Sequence, residues 1–286
     1  MFNSLHNIIF LMITLETFIQ SEKTSPNRNG ELYYSELDEH TLVTDSQVFP
    51  FVAAILRKFT FMSTGALISD DWVLTEADSF YFIRDAKRTL RVRLGSINCK
   101  KGGSVFPIKY IEIHPFFDDK SPVYDLALIK LPKPVRFTPN LSPIKLRMDP
   151  KEVDATHFVV TSWASPWQQV SQDLDTLKSM EIIKRQRILT VTHLHPNDIE
   201  ECNEELANIG INNTGTTMCL DSSAMNDPCM REIGAPVVLN GFLWGIVSSW
   251  QPPNCQTGAV GSTFVSLIST QNVSQWIHSQ LNGESW

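Results

Sequence analysis

Short apolar runs separated by turn residues fill the chain after Phe49, and this pattern limits the folds open to it. Each run is four to seven residues long, which is typical of strands and too short for most buried helices. Many such segments in succession indicate a β-barrel or a β-sandwich. The runs are Phe51–Leu56, Gly65–Ile68, Trp72–Thr75, Leu90–Gly95, Leu126–Leu131, Phe158–Trp163, Met180–Lys184, Pro236–Leu239 and Phe242–Ser248.

Two segments have helical patterns instead. Residues 272–281 place Val273, Trp276, Ile277 and Leu281 on one face of a C-terminal helix. The segment Asp198–Ile209 is a second, weaker helical candidate. Strands therefore dominate, and we predict an all-β protein that ends in one helix.

Composition excludes several classes of protein. Hydrophobic residues make up 42% of the 286 residues and charged residues 19%, which is typical of a globular protein rather than a disordered one. The length suits one large domain or two fused halves. A net charge of −7 with no basic stripe along the sequence argues against a nucleic-acid partner.

An apolar run, Ile8–Ile19, lies close to the amino terminus. It is too short to span a bilayer but long enough for the core of a signal peptide, so we expect a leader over residues 1–21 with cleavage near Ser21. No Lys or Arg precedes the run, and Glu16 lies inside it, so a buried N-terminal helix is the alternative. No other segment has the apolar length of a membrane span.

The segment over residues 22–45 is polar and carries six acids against two bases, a net −4. We interpret it as an acidic linker or a propeptide remnant. Tyr33 and Tyr34 are either sulfation sites or simply exposed side chains. If the chain is secreted, Asn140, Asn212 and Asn272 are candidate N-glycosylation sites, since each begins an Asn-x-Ser/Thr sequence.

Six segments in order resemble the chymotrypsin-like serine protease family, and together they cover nearly everything after Phe49. The resemblance implies two six-stranded antiparallel β-barrels over residues 46–286: a first barrel over about 46–150, a second over about 151–270, and a closing helix over about 272–281. The six segments are Phe49-Pro-Phe-Val, Gly65 to Thr75, His114-Pro-Phe-Phe with Asp125-Leu-Ala-Leu, Val159 to Ala164, Met218-Cys with Cys229 to Pro236, and Ser248-Ser-Trp with Trp276-Ile.

The residues at the family's catalytic positions differ from those that its reaction needs. That reaction uses a serine nucleophile, a histidine base and a buried aspartate that orients the base. By resemblance, Asp78 stands in the place of the histidine and Ile233 in the place of the serine, while Asp125 keeps the family identity. An aspartate is a poor base at neutral pH because its ordinary pKa is near 4. Two facing acids, Asp78 and Asp125, would also disfavour ionisation of both.

The oxyanion position and the activation sequence also depart from the family. Arg231 replaces the glycine whose N–H belongs to the oxyanion hole, and no Ile-Val-Gly-Gly-type sequence lies near Asp38 to His40. Glu232 stands where the acid that pairs with the new amino terminus is expected. We therefore predict no peptidase activity by the family's mechanism.

The resemblance also assigns four of the five cysteines. Cys202 with Cys219 and Cys229 with Cys255 match two family disulfides. Two other family disulfides are absent as whole pairs, because Ser63 and Ser79 occupy the positions of one, and Phe158 and Leu239 those of the other. No orphan thiol is left by these losses.

Cys99 is left over, and its neighbours Lys100 and Lys101 suggest an exposed loop. It is a buried thiol, a redox group, or a disulfide to a second copy of the chain. Neither a zinc-binding pattern nor a cofactor motif is present, so we expect no metal and no cofactor. In trypsin-like members, the position of Asp227 forms the floor of a pocket for basic side chains; a solvated loop acid is the alternative here.

The sequence thus favours a secreted, non-catalytic serine protease homologue that binds an extracellular protein or peptide. The competing hypothesis is a hydrolase with a relocated active site. It would use Ser222, Ser223 or Ser249 as nucleophile, with His114 or His157 brought within reach. A third hypothesis is a decaying chain that folds poorly, which retention and degradation in producing cells would indicate.

Overall fold

Strands account for most of the regular structure, as the short apolar runs predict. The computed structural model describes residues 41–148, 155, 157–163, 187–213, 215–221, 233–250 and 262–283. All of them belong to one compact unit over residues 33–286, and residues 1–32 are divided from it. The predicted leader and most of the acidic linker therefore lie outside the described residues.

The first sheet contains seven strands in the order β6-β5-β2-β3-β4-β8-β7, and all its pairs are antiparallel. Its central strands are buried on both faces and read as continuous apolar runs, which explains why the sequence pattern found them. The strands are β2 Val52–Arg57, β3 Thr60–Leu67, β4 Trp72–Thr75, β5 Leu90–Leu94, β6 Ser104–Pro107, β7 Tyr110–Ile113 and β8 Ala127–Lys130.

The second sheet contains eight strands. Seven follow the order β1-β11-β10-β13-β14-β15-β12, and β9 pairs in parallel with β14. The strands are β1 Thr41–Leu42, β9 Lys145–Leu146, β10 Phe158–Ser162, β11 Thr190–Leu194, β12 Thr217–Leu220, β13 Pro236–Leu239, β14 Phe242–Val247 and β15 Thr263–Leu267.

Few helices accompany the sheets. Both predicted helices are confirmed. Helix α2, Ile199–Asn208, begins after its N-cap residue Asp198, whose side chain accepts from Glu200 N. Helix α3, Gln271–Asn282, buries Val273, Trp276 and Ile277. A short helix and a 3₁₀ turn, which sequence analysis missed, follow β4 directly. The helical elements are α1 Asp78–Tyr81, the 3₁₀ helix Arg84–Thr89, α2 Ile199–Asn208 and α3 Gln271–Asn282.

The predicted fold class, two antiparallel β structures with a C-terminal helix, is confirmed, but the strand count is corrected. The described sheets have seven and eight strands rather than six each. The extra strands are short or lie at edges: β1 and β9 have two residues each, and β6 is mostly exposed. Such strands carry little apolar signal, so the sequence pattern does not reveal them.

The boundary of the acidic linker is also corrected. Thr41 and Leu42 pair with Val191 and Thr190, and Val43 is buried. The last five residues of the expected linker therefore belong to the folded body. Strands β1 and β9, placed by sequence in the linker and the first barrel, both pair within the second sheet.

Of the two expected disulfides, the described residues contain one, and it is formed as expected. Cys202 on α2 is disulfide-bonded to Cys219 on β12, with a Cα–Cα distance of 5.4 Å. Cys229 and Cys255 lie outside the described residues. Phe158 is fully buried, and the register that pairs Val159 with Val238 sets Phe158 opposite Leu239, so these two apolar residues pack in one core. Apolar packing thus occupies the position at which the resemblance expects a family disulfide.

Cys99 is buried, whereas its neighbouring lysines suggested an exposed loop. Its side chain is 2% exposed, its thiol is unbonded, and burial raises the thiol pKa. A disulfide to a second copy through Cys99 is therefore not available to the chain in this conformation. Among the described helices, none has the length and apolar character needed to cross a bilayer.

Loss of the Cys202–Cys219 bridge should destabilise the fold measurably. A bond that closes a loop of 17 residues contributes about 3 kcal/mol, mostly by restricting the unfolded chain. We expect the double variant Cys202→Ala/Cys219→Ala to unfold at a lower guanidinium chloride concentration than the wild type. Cys99→Ala, which removes a buried thiol but no bridge, is the control. An unchanged unfolding midpoint for the double variant would contradict the assignment.

Candidate active-site cleft

Asp125 joins the two sheets through its carboxylate. It lies just before β8, is fully buried, and accepts hydrogen bonds from both halves of the molecule. From the first sheet, Ala77 N and Asp78 N donate to Oδ1 over 2.6 and 2.9 Å. From the second, Ser248 Oγ and Ser249 N donate to Oδ2 over 2.6 and 3.0 Å. The residue therefore fixes the start of α1 against the end of β14.

Burial nevertheless raises the pKa of Asp125. Removal from water disfavours its charged form more than the four donors favour it, and the Ser248 hydroxyl gives the largest opposing effect. The described donors are backbone N–H groups and serine hydroxyls, which carry no positive charge. No Lys or Arg among the described residues forms an ion pair with it.

The sequence suggested that the carboxylates of Asp78 and Asp125 face each other directly. In the structure, the side chain of Ser249 lies between them. Ser249 Oγ donates to Asp78 Oδ2 over 2.9 Å and lies 3.5 Å from Asp125 Oδ2. Asp78 opens helix α1 and is half-buried at the cleft. The hydroxyl of Ser249 thus separates the two carboxylates and is bonded to the more exposed one.

Glu76 is a third carboxyl in this region, and sequence analysis missed it as a site residue. It is fully buried between β4 and α1, and Ser79 N donates to its Oε2 over 2.9 Å. Burial, followed by the nearby charge of Asp125, raises its pKa to about 8. The sequence did contain one indication of this site. An acidic residue that directly follows the buried apolar run Trp72–Thr75 is expected to be buried as well.

Glu76 also lies close to two positions at which the resemblance expects a family disulfide. The resemblance sets that disulfide at Ser63 and Ser79, and the hydroxyls of both serines act on Glu76 by lowering its pKa against the effect of burial. Ser63 Oγ itself contacts Thr75 Oγ1 at 3.2 Å and donates to Thr64 O over 3.1 Å. A polar cluster of one carboxyl and three hydroxyls therefore lies at the positions of the expected bridge.

Ile233 lies beside this cluster. Its carbonyl accepts from Thr64 N over 3.0 Å, so its backbone is tied to β3 of the first sheet. Its side chain is half-buried and has no heteroatom. The next residue must be glycine, because Gly234 has φ of +72° and a Cβ there would lie 2.2 Å from Thr64 O. The turn at Ile233 is therefore fixed by close backbone contact.

His114, which the competing hypothesis needs as a base, is held in an aromatic cluster. Its ring is 1% exposed, stacks on Tyr124 at 4.6 Å and meets Trp276 edge-on at 4.8 Å. Phe116 N donates to its Nδ1 over 3.3 Å. Burial lowers its pKa to about 4, so the ring is neutral at physiological pH. His157 stacks on His193 at 5.0 Å, beside β11.

Some of the other site residues predicted from the sequence are described by the structure, and some are not. Arg231, Glu232, Asp227, Ser222 and Ser223 lie outside the described residues. At the sequons, Asn212 and Asn272 are exposed, whereas Asn140 is half-buried. No group of three or more His, Cys, Asp or Glu side chains within the described ranges has the geometry of a metal site.

This arrangement of two antiparallel sheets joined at a buried aspartate matches a known family. A family model described as trypsin matches residues 41–277, and the chain belongs to the trypsin family of serine protease domains.

Relatives and solved structures agree with this assignment. The chain is 31% identical to collagenase of Hypoderma lineatum over 198 residues, which are 68% of each chain. It is 27% identical to trypsin 5G1 of Aedes aegypti over 199 residues, 69% of this chain and 68% of the relative. Among solved structures, mouse neuropsin matches with a TM-score of 0.63 at 21% identity, covering 84% of this chain and 98% of neuropsin. Human heparin binding protein matches with a TM-score of 0.63 at 18% identity, covering 87% and 98%.

The raised pKa of Glu76 should make stability depend on pH. Between its ordinary value of 4.5 and about 8, the folded chain retains a proton that the unfolded chain has released. The free energy of unfolding should therefore fall as pH rises through this window, by up to about 1.4 kcal/mol per pH unit. Glu76→Gln, which cannot ionise, should flatten that slope and be the more stable protein at pH 8.

Urea unfolding at pH 5, 6, 7 and 8 measures this effect. Glu204→Gln removes an exposed acid from α2 and is the matched control, for which we expect the wild-type slope. Parallel profiles for Glu76→Gln and the wild type would show that Glu76 is ionised in the folded chain.

Proposed function

We propose that this member of the trypsin family is non-catalytic and acts outside the cell as a protein-binding module. The observation that carries the proposal is the bonding around Asp125. In the family's reaction, such a buried carboxylate orients an imidazole. Here the described donors to Asp125 are Ala77 N, Asp78 N, Ser248 Oγ and Ser249 N. None of them is an imidazole, and the first residue of α1, at the cleft, is Asp78.

A carboxylate at position 78 does not replace the imidazole. A general base needs a pKa near the working pH, and it must donate the proton again to the leaving group. The Asp78 carboxylate already accepts from Ser249 Oγ, which fills the space between it and Asp125. The family's transfer of a proton from a serine to a histidine therefore has no counterpart at this position.

The position matched to the nucleophile supports the same conclusion. An isoleucine side chain has no atom that attacks a carbonyl, and the carbonyl of Ile233 is bonded to Thr64 N. In the sequence, Arg231 replaces the oxyanion glycine. Because the residual activity of proteases that lack triad residues depends on the oxyanion hole, a chain altered at all three positions should retain none of it.

A binding role and an extracellular location rest on separate observations. Disulfides persist in oxidising compartments, and Cys202–Cys219 is one. The apolar run at residues 8–19 is of signal-peptide length, and two sequons lie at exposed positions. Loops at the ends of a rigid β scaffold are well suited to binding once catalysis is lost.

The purified chain should not react with a fluorophosphonate probe, which labels activated serines. Active trypsin supplies the positive control, and heat-denatured protein supplies the background. Heat-sensitive labelling above that background would overturn the proposal. If it occurs, Ser249→Ala decides whether the nucleophile is the serine between Asp78 and Asp125, as a relocated active site would require.

Secretion and glycosylation are tested together in a cell that secretes the full chain. We expect a secreted product that has lost residues 1–21 and whose mass falls on treatment with an N-glycosidase. Asn212→Gln and Asn272→Gln should each remove one glycan, since both side chains are exposed, whereas Asn140→Gln should have the smaller effect. Retention of the chain inside the cell, with residues 1–21 intact, would contradict the proposed location.

A further inference from the structure

The turn between β2 and β3 holds an exposed phenylalanine at one end of the first sheet. Arg57 is paired with Thr60, so Lys58 and Phe59 form a two-residue hairpin loop. The side chain of Phe59 is 67% exposed. A single apolar side chain on a surface needs no special explanation. Its backbone and its neighbours give this one significance.

The backbone of this loop is strained. The φ angle is +48° at Lys58 and +65° at Phe59. Hairpin loops in which both residues have positive φ favour Asn-Gly, because a Cβ is disfavoured in that conformation. The chain therefore holds a bulky ring in water on a backbone that does not favour it. Contact of the ring with an apolar phase would offset part of this cost.

Cations from three segments of the chain lie around this loop. Lys58 N donates to Thr89 O over 2.9 Å, which sets the loop beside Arg88. Lys100 Nζ donates to Phe59 O over 3.3 Å. The paired strands β2 and β5 each add one arginine just behind the loop. We call the whole group the basic tip, which consists of Arg57, Lys58, Phe59, Arg88, Arg91 and Lys100.

The positive charge of the basic tip has no acidic partner among the described residues. Arg91 donates to Arg88 O over 2.8 Å, and Lys100 also donates to a carbonyl, so both bind neutral acceptors. The two stretches of sequence that form the tip, residues 46–69 and 86–111, contain no Asp or Glu. Asp85, three residues before Arg88, is the nearest acid along the chain. Like charges on neighbouring residues repel one another, and an anionic surface would relieve that repulsion.

The order of the groups in the basic tip matches an anionic lipid surface. Phe59 lies in the loop, whereas Arg91 is opposite Leu56, two residues before Lys58 and about 7 Å behind it along the strand. In a bilayer the charged headgroups lie outside the acyl chains. A ring at the tip therefore reaches the acyl boundary while the cations behind it stay at the level of the headgroups.

Two other anionic ligands meet the same charges. A sulfated sugar polymer and an acidic peptide both bind cations, and a sugar ring also packs against an aromatic ring. Each of them lies along a surface, however, whereas the ring of Phe59 stands at the end of a two-residue loop. A lipid surface is favoured because it accepts a projecting ring from the end.

We propose that the basic tip docks on an anionic phospholipid surface, with the ring of Phe59 inserted between the headgroups. The contact is with one face of the bilayer and needs no spanning segment. Each Lys or Arg near such a surface strengthens binding about fivefold, and an inserted ring adds apolar burial. Docking of this kind is independent of the proposed function of the cleft.

Cosedimentation of the full chain with lipid vesicles tests the proposal. We expect binding to vesicles of equal parts phosphatidylserine and phosphatidylcholine, and at least about tenfold weaker binding to vesicles of phosphatidylcholine alone. Higher salt should weaken the binding. The apolar run at residues 8–19 is common to every variant, so it cannot produce a difference between them.

Variants of the basic tip identify the binding surface. Lys58→Glu with Lys100→Glu should weaken binding to the anionic vesicles at least about thirtyfold, since each change removes an attraction and adds a repulsion. Phe59→Ala should weaken it several-fold without a change of charge. Phe59→Trp should retain it, because tryptophan is favoured at the boundary between lipid and water.

The opposite end of β3 provides matched controls. Phe137 is 48% exposed there, Lys133 and Arg136 are exposed beside it, and Val135 N donates to the carbonyl of Asp70, an exposed acid. Lys133→Glu with Arg136→Glu makes the same change of net charge as the tip variant, and Phe137→Ala removes the same ring. Both should bind the vesicles as the wild type does. Circular dichroism confirms that each variant is folded.

Several results would overturn the proposal. Equal binding to both kinds of vesicle would show that the cations do not act, and wild-type binding by Phe59→Ala would show that the ring does not insert. Equal losses in the tip and control variants would assign the effect to net charge. Binding of dextran sulfate or polyglutamate without binding of the vesicles would assign the tip to a polyanion or an acidic protein segment. None of these results depends on whether the cleft is catalytic.

Discussion

The rest of the structure depends on one buried carboxylate, that of Asp125. Its two oxygens take donors from opposite sheets: the backbone after β4 on one side and the chain after β14 on the other. A buried carboxylate without such donors would be strongly destabilising, because desolvation of a charge costs several kcal/mol. The same bonds that stabilise Asp125 therefore fix the two sheets against each other. Asp125 therefore has a structural role that does not depend on catalysis.

The positions at which the resemblance expects two further family disulfides are occupied in two different ways. At one, Phe158 and Leu239 pack in one apolar core. At the other, Ser63 and Ser79 lie with Glu76 in a polar cluster, where burial raises the pKa of the Glu76 carboxyl to about 8. The apolar replacement needs no partners. The polar replacement is satisfied only if every group finds a hydrogen bond, and it couples the stability of the cleft to pH.

Much of the fold was predictable from sequence, because its central strands are buried on both faces and appear as unbroken apolar runs. Helix α3 was predictable to within a residue at each end from the spacing of Val273, Trp276 and Ile277. The two-residue strands β1 and β9 and the exposed strand β6 were not, since pairing partners rather than side chains define them. In the site, the resemblance directed attention to positions 78, 125 and 233. Glu76 and the hydroxyl of Ser249 between Asp78 and Asp125 were not found, because their roles depend on distances that no motif encodes.

Charge illustrates the same limit more sharply. A net charge of −7 describes the chain as acidic, yet the pairing of β2 with β5 sets Arg57 and Lys58 beside Arg88 and Arg91. Sequence separation hides such a grouping, as the register of β2 against β5 sets which cations become neighbours. Net charge therefore bounds the average field of a protein but not its local binding surfaces.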